Sequence, residues 1–184
     1  MDLELITARL RLDPLRESDA DALYAYRSDP AVALYQGWKP STRGEALDFI
    51  RAQQHSTPDR RDSWLQRAIR LADATLIGDL GLHIPAGADG SYAFGITIAP
   101  VYQGMGYARE ALRALFDMVF GELRAHRLHA SIDQRNAPCA ALLRSLGMRQ
   151  EAHFRESLKL RGEWVDDVIF AMLAREWAHA RAER

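Results

Sequence analysis

The chain has 184 residues, with 24 Lys plus Arg against 25 Asp plus Glu and a formal net charge of −1. That length fits one globular domain, and the charge balance excludes a general nucleic-acid binder, which needs a basic surplus. One cysteine excludes an internal disulfide framework, six scattered histidines show no metal-ligand spacing, and no apolar run approaches the ~18 residues of a membrane span.

The chain opens on an acidic segment, Met1-Asp2-Leu3-Glu4, without the charged-then-apolar layout of a signal peptide. The expected location is therefore the cytoplasm. Leu5 to Leu12 reads as a first strand. Ser18-Asp19-Ala20-Asp21 is a helix start of the capping-box kind, followed by Leu23, Tyr26 and Arg27 at helical spacing. Pro30 ends or kinks that helix. Tyr35 to Pro40 is irregular and contains Trp38. Thr42 to His55 reads as a second helix with Ala46, Leu47, Phe49 and Ile50 as its apolar stripe, and Ser56 to Asp59 reads as a loop.

The period then changes. Trp64 to Leu71 and Leu76 to His83 are strand candidates around a turn at Asp73. Alternation puts Asp79 and His83 on one face of the second. A loop is predicted over 84–91. Tyr92 to Ile98 is a third strand, stopped by Pro100. Tyr107 to about Leu123 is a strongly amphipathic helix, Leu128 to Asp133 a short strand, and Ala137 to Leu146 a helix closed by Gly147. Phe154 to Leu160 and Val165 to Leu173 form a hairpin around Arg161-Gly162, and the tail from Arg175 reads as helical. This order predicts an α/β fold with a mixed sheet of about seven strands.

The chemistry concentrates where the third strand ends. Gln103, Gly104, Met105, Gly106, Tyr107, Ala108 and Arg109 form a glycine-containing turn that opens the long helix. Backbone N–H groups at a positive helix end form an anion site, and glycine lets a phosphate approach closely. A bland strand-to-helix turn has the same spacing. The Walker pattern needs a Gly-Lys-Ser/Thr ending, which is absent. The dinucleotide fingerprint needs a third glycine, and no acidic residue closes the next strand at the expected place.

Gln103-x-x-Gly106-x-Ala108 resembles the acetyl-CoA signature of the Gcn5-related N-acetyltransferases (GNAT). Thr7-x-Arg9-Leu10-x-Leu12-x-Pro14-Leu15-x-x-x-Asp19 is similar to the opening of their ribosomal-protein-alanine (RimJ/RimL-like) branch. Asn136-x-x-Cys139 with Leu146-Gly147-Met148, and Gly162-Glu163-Trp164-Val165-Asp166, resemble later segments of that branch. The resemblance implies acetyl-CoA as the acetyl donor, no metal, an amine as acceptor, and a core over about 5–173 within one domain spanning the chain. It implies that pantetheine lies between two splayed strands, Tyr92–Ile98 and Leu128–Asp133, against backbone near Ile96, Thr97 and Ile98. Pyrophosphate would sit on the Gln103–Ala108 turn, with Asn136 binding from the second side. Relatives are often dimers, so a homodimer is an open expectation.

Catalytic roles are less legible. Cys139 stands where relatives carry a serine thought to protonate the leaving thiolate. A helix start would favour its thiolate form, and a small buried hydrophobe is the plain alternative. The two carboxylate positions used by relatives fall on Ala93 and Leu158, neither of which titrates. Asp79, His83, Tyr92, Asp133 and Glu156 are the remaining candidates for the base. Tyr35, Trp38 and Tyr92 are candidates for the substrate wall, and Arg155, Lys159 and Arg161 for a basic hairpin tip. Two rival expectations stay open: an acyl-CoA-binding protein without a base, and a nucleotide-binding module using the same turn.

Overall fold

The computed structural model describes residues 4–53, 62–87 and 90–182. Eight strands form one mixed sheet: β1 (Leu5–Ile6), β2 (Leu10–Asp13), β3 (Ser63–Leu71), β4 (Leu76–Ile84), β5 (Ser91–Ile98), β6 (Arg127–Asp133), β7 (Arg149–Leu160) and β8 (Glu163–Leu173). Their spatial order is β1-β2-β3-β4-β5-β6-β8-β7. Six helices accompany them: α1 (Ala20–Ser28), α2 (Pro30–Ala33), α3 (Arg43–Gln53), α4 (Tyr107–Gly121), α5 (Ala137–Ser145) and α6 (Ala174–Ala182).

The count exceeds the expected seven because the first predicted strand is broken. Leu5 and Ile6 fold back on Leu12 and Arg11. The turn between them is closed by the Thr7 N–H donating to the Leu10 carbonyl at 2.9 Å. Pro30 ends α1 and begins α2, with Asp29 accepting the Ala31 N–H at 2.8 Å; proline is tolerated there because a first-turn N–H has no helical partner. β7 starts at Arg149, earlier than predicted, and its register with β8 shifts between Phe154 and Leu158. The loop predicted over 56–59 and the end of the second predicted helix beyond Gln53 lie outside the described residues.

Helices α1 and α3 cover one face of the sheet through Ala20, Leu23, Ala46 and Ile50. α4 covers the other. Its stripe Ala111, Leu112, Leu115, Phe116 and Val119 is buried, and Phe116 meets Phe94 and Trp177 edge-on at 5.5 and 5.1 Å. Burying each large apolar side chain of this kind contributes about 1.5–3 kcal/mol. The tail is helical as read, and the Trp177 indole N–H donates to Asp117 at 2.9 Å.

One feature of the sheet positions the site. β5 and β6 are parallel and pair only at Ser91–Arg127, Tyr92–Leu128 and Ala93–His129. Beyond Ala93 they part, so the β6-facing edge of Ile96–Ile98 has no ladder partner there. Gly78 on β4 lets β5 close up on its other side: a Cβ at Gly78 would stand 2.2 Å from the Thr97 carbonyl oxygen.

Candidate active site

Where β5 and β6 diverge, a cavity of ≈ 640 Å³ opens. Ile96, Thr97 and Ile98 form one wall, and Asn136, Cys139 and Leu142 on the α5 side form the opposite one. The glycine turn before α4 closes one end, and Tyr35 and Gln36 after α2 reach in at the other.

Two glycines shape the turn. Gly104 and Gly106 have φ of 75° and 82°, the left-handed region that suits glycine. Gly106 is the N-cap of α4 and supplies no capping side chain, so the first-turn N–H groups have no intrahelical acceptor. The Gln103 side-chain amide donates to the Ile98 carbonyl at 2.8 Å, tying the turn to the end of β5.

A clamp from the chain start holds the outer side of this turn. Arg9 donates to the Met105 carbonyl at 3.1 Å and to Glu110 at 2.7 Å, and lies 4.5 Å over the Tyr107 ring. The Thr7 hydroxyl donates to Glu110 at 2.6 Å. Burial opposes the charge of Glu110, but hydrogen bonds from Thr7 and Arg9 outweigh it and hold its carboxyl below the usual range. The Thr7-x-Arg9 pattern in the first segment is the only sequence signal for this clamp. Its partner Glu110 lies about a hundred residues away and carried none.

Of the predicted donor-binding residues, Gln103, Gly104, Gly106, Tyr107, Ala108, Arg109, Asn136, Cys139 and Ile96–Ile98 line the cavity. Met105 does not: it points outward, half exposed, and only its carbonyl is engaged. The Asn136 side-chain oxygen accepts the Cys139 N–H at 3.2 Å and so caps α5. A diphosphate-bearing thioester therefore fits this chain's residues. The turn offers N–H groups without acceptors, the free edge of β5 offers amide partners, and the walls between are largely apolar.

Cys139 sits in the first turn of α5. The helix start was expected to favour the thiolate. Burial decides otherwise and pushes the thiol up to about 11. At pH 8 the thiolate fraction is then on the order of one in a thousand, so alkylation is expected to run roughly a hundredfold slower than at a free cysteine. The rate should climb toward pH 11. Mass spectrometry of iodoacetamide-treated protein checks this, and rapid labelling at pH 7 would contradict it.

The remaining candidates scatter. Asp79 and His83 share a face of β4 as alternation requires, but not an environment. Asp79 is fully buried and accepts from Tyr26 at 2.7 Å, from Arg27 through both Nε and Nη2, and from Gln66. Its oxygens are consumed by structure. Burial penalises the Arg27 charge, but attraction and hydrogen bonds from Asp79 outweigh it and hold the guanidinium above its ordinary value. His83 pairs with Asp62 at 3.4 Å and tilts against Trp64. Glu156 is exposed in the β7 irregularity with φ of 45°, and its N–H donates to Asp166 at 2.9 Å. None of these three lines the cavity.

On the substrate side, Tyr35 lines the cavity and its hydroxyl donates to the Arg135 carbonyl at 3.4 Å. Trp38 instead stacks on Phe49 at 4.4 Å, and Tyr92, half-buried, packs against the core; neither lines the cavity. The Arg161 guanidinium donates to the Leu34 carbonyl, so the hairpin tip does meet the segment after α2. Gln36 was missed: it lines the cavity and accepts from Arg27 at 3.0 Å. Nothing in the local sequence distinguishes it from an ordinary loop glutamine.

A glycine turn at a helix N-terminus beside two splayed parallel strands is the arrangement that the resemblance to the Gcn5-related N-acetyltransferases implies. Residues 9–149 match the family model described as "Acetyltransferase (GNAT) domain". The uncharacterized N-acetyltransferase p20 of Bacillus licheniformis is 30% identical over 175 residues, covering 95% of this chain and 98% of that one. The spermidine N(1)-acetyltransferase of Vibrio cholerae is 30% identical, covering 88% and 91%. Among solved structures, Mycobacterium smegmatis RimJ in complex with CoA-disulfide superposes with a TM-score of 0.80 at 24% identity, covering 95% and 90%; that likeness carries the fold alone. The chain belongs to the GNAT acetyltransferase family and is an N-acetyltransferase that uses acetyl-CoA. These likenesses do not single out the ribosomal-protein branch from its neighbours.

Proposed function

We propose that the enzyme moves an acetyl group from acetyl-CoA to a primary amine by direct attack in a ternary complex. The observation that carries this reading is the left-handed Gly104–Gly106 turn opening onto the cavity between β5 and β6. When bound, acetyl-CoA supplies a thioester carbonyl open to a neutral amine. The chain's own part is to hold both reactants. The turn and the first N–H groups of α4 neutralise the diphosphate. The free edge of β5 accepts the pantetheine amides, and an N–H at Ile96 or Thr97 serves as donor to the carbonyl oxygen. The Asn136 cap fixes the start of α5, and with it Cys139.

Cys139 acts as a neutral S–H donor beside the leaving sulfur. A thiol raised to about 11 does not yield its proton downhill to an alkyl thiolate of pKa ~8.5. Among the described residues no Asp, Glu or His lines the cavity, so the amine proton leaves through water. The rate then follows the fraction of free amine: kcat/KM should rise about tenfold per pH unit up to the amine's own pKa, ~8 for an α-amine. A plateau near pH 6–7 would instead reveal a base on the protein.

The reading is tested by calorimetric titration with acetyl-CoA, followed by thiol release over a panel of amines and N-terminal peptides. Binding with turnover establishes it. Binding without turnover on any amine of the panel overturns a primary amine as the acceptor. The cytoplasm as location and a homodimer as assembly belong to the same proposal, as does the single domain spanning 1–184.

A further inference from the structure

The half of the cavity away from the glycine turn has a fixed polarity, set by a buried ion pair. Arg27 is buried, with Nε and Nη2 on Asp79, and its remaining Nη1 donates to the Gln36 side chain at 3.0 Å. A guanidinium has five N–H donors and no lone pair to offer. The Gln36 atom facing it must therefore be the oxygen, which settles the amide orientation that is otherwise ambiguous. The amide nitrogen is turned away, and Gln36 lines the cavity with no protein acceptor for those N–H groups among the described residues. The half-buried Gln36 side chain thus turns its N–H groups toward the cavity, where an oxygen of a bound ligand can accept from them. Among the described residues no Asp or Glu lines the cavity, whereas opposite charge is what draws a polycation.

We propose that Gln36 is a specificity-determining residue that donates to an oxygen of the amine substrate. The substrates are accordingly amines with a carbonyl or carboxyl oxygen close to the reacting nitrogen, such as amino-acid amides and peptide N termini, and not polyamines. Arg27 and Asp79 are positioning residues for that donor. This inference rests on the N-acetyltransferase reading above.

Gln36→Glu is the informative variant. It is isosteric, it keeps an oxygen for Arg27, and it replaces the donor with a charged acceptor. Wild-type protein should prefer alaninamide to spermidine in kcat/KM corrected to free amine. Gln36→Glu should lower kcat/KM for alaninamide about tenfold or more, change butylamine less than twofold, and raise spermidine. Gln36→Ala should give the same loss on alaninamide without the gain on spermidine. Acetyl-CoA affinity should stay within about threefold in both, since the diphosphate turn lies at the other end. A wild-type preference for spermidine, or an equal loss on all three amines, overturns the proposal. Calorimetry of the CoA-loaded protein with the same amines separates it from the activity itself. Alaninamide binding that is lost in Gln36→Glu upholds the donor even where no amine is acetylated; binding of neither amine overturns it.

Discussion

Gly106→Glu is expected to weaken CoA binding about a hundredfold or more, ~2.7 kcal/mol, while the protein stays folded. Two effects combine. At φ of 82° any L side chain is strained, at a cost of roughly 1–2 kcal/mol. The added Cβ also lies 3.4 Å from Arg9 Nη2, the flexible end of a side chain that can yield. A carboxylate at the N-cap of α4 is itself favourable to the unliganded helix, since it meets the positive helix end. It therefore occupies the field that the diphosphate requires, and the loss falls on binding rather than on folding. Gly106→Ala introduces the same strain without the charge and should lose only about tenfold or less. Calorimetry with CoA and a thermal melt of each variant check both halves. Unchanged CoA affinity in a folded Gly106→Glu protein would overturn the assignment of the turn.

Asp79→Ala should destabilise the fold by about 3–5 kcal/mol, the usual result of removing one partner of a buried ion pair. Against a typical total of about 5–15 kcal/mol, that is a large share. The reason is geometric. Asp79 accepts from Tyr26, Arg27 and Gln66 at once, with none of its surface exposed. Without it, Arg27 keeps a buried charge with no counter-charge, and burial together with Asp79 is what holds the Tyr26 hydroxyl well above its ordinary pKa. Asp79→Asn keeps the volume and one acceptor oxygen, and should cost less. Urea unfolding midpoints measure both. A loss under about 1 kcal/mol accompanied by abolished turnover would make Asp79 a chemical group and not a scaffold.

The glycine turn before α4 is legible in the sequence because it is local. Gln103, Gly106 and Ala108 lie within six residues, and a turn plus a helix start is a short-range structure whose N–H groups follow from backbone geometry alone. The substrate half was not. Asp79 and His83 alternate correctly, yet alternation tells only which face a side chain takes. What stands over that face is α1, contributed by residues more than fifty positions earlier. Trp38 and Tyr92 were drawn into packing for the same reason: large rings go where area can be buried, and neighbouring elements decide where that is. Leu5–Leu12 was read as one strand because its apolar residues are continuous, whereas Thr7 and Arg9 turn the chain to reach Glu110.

By itself, then, the sequence determined the order of elements, the mixed α/β sheet, the glycine turn before α4 and the family, because periodicity and short motifs are encoded within a few residues. Only the tertiary structure decided that Cys139 stays a neutral thiol, that Asp79 is a counter-ion, and that Gln36 presents its N–H groups to the cavity. Each of these depends on burial and on partners distant in the chain. Desolvation and pairing, which set charge state and hydrogen-bond direction, exist only once the chain has closed around them.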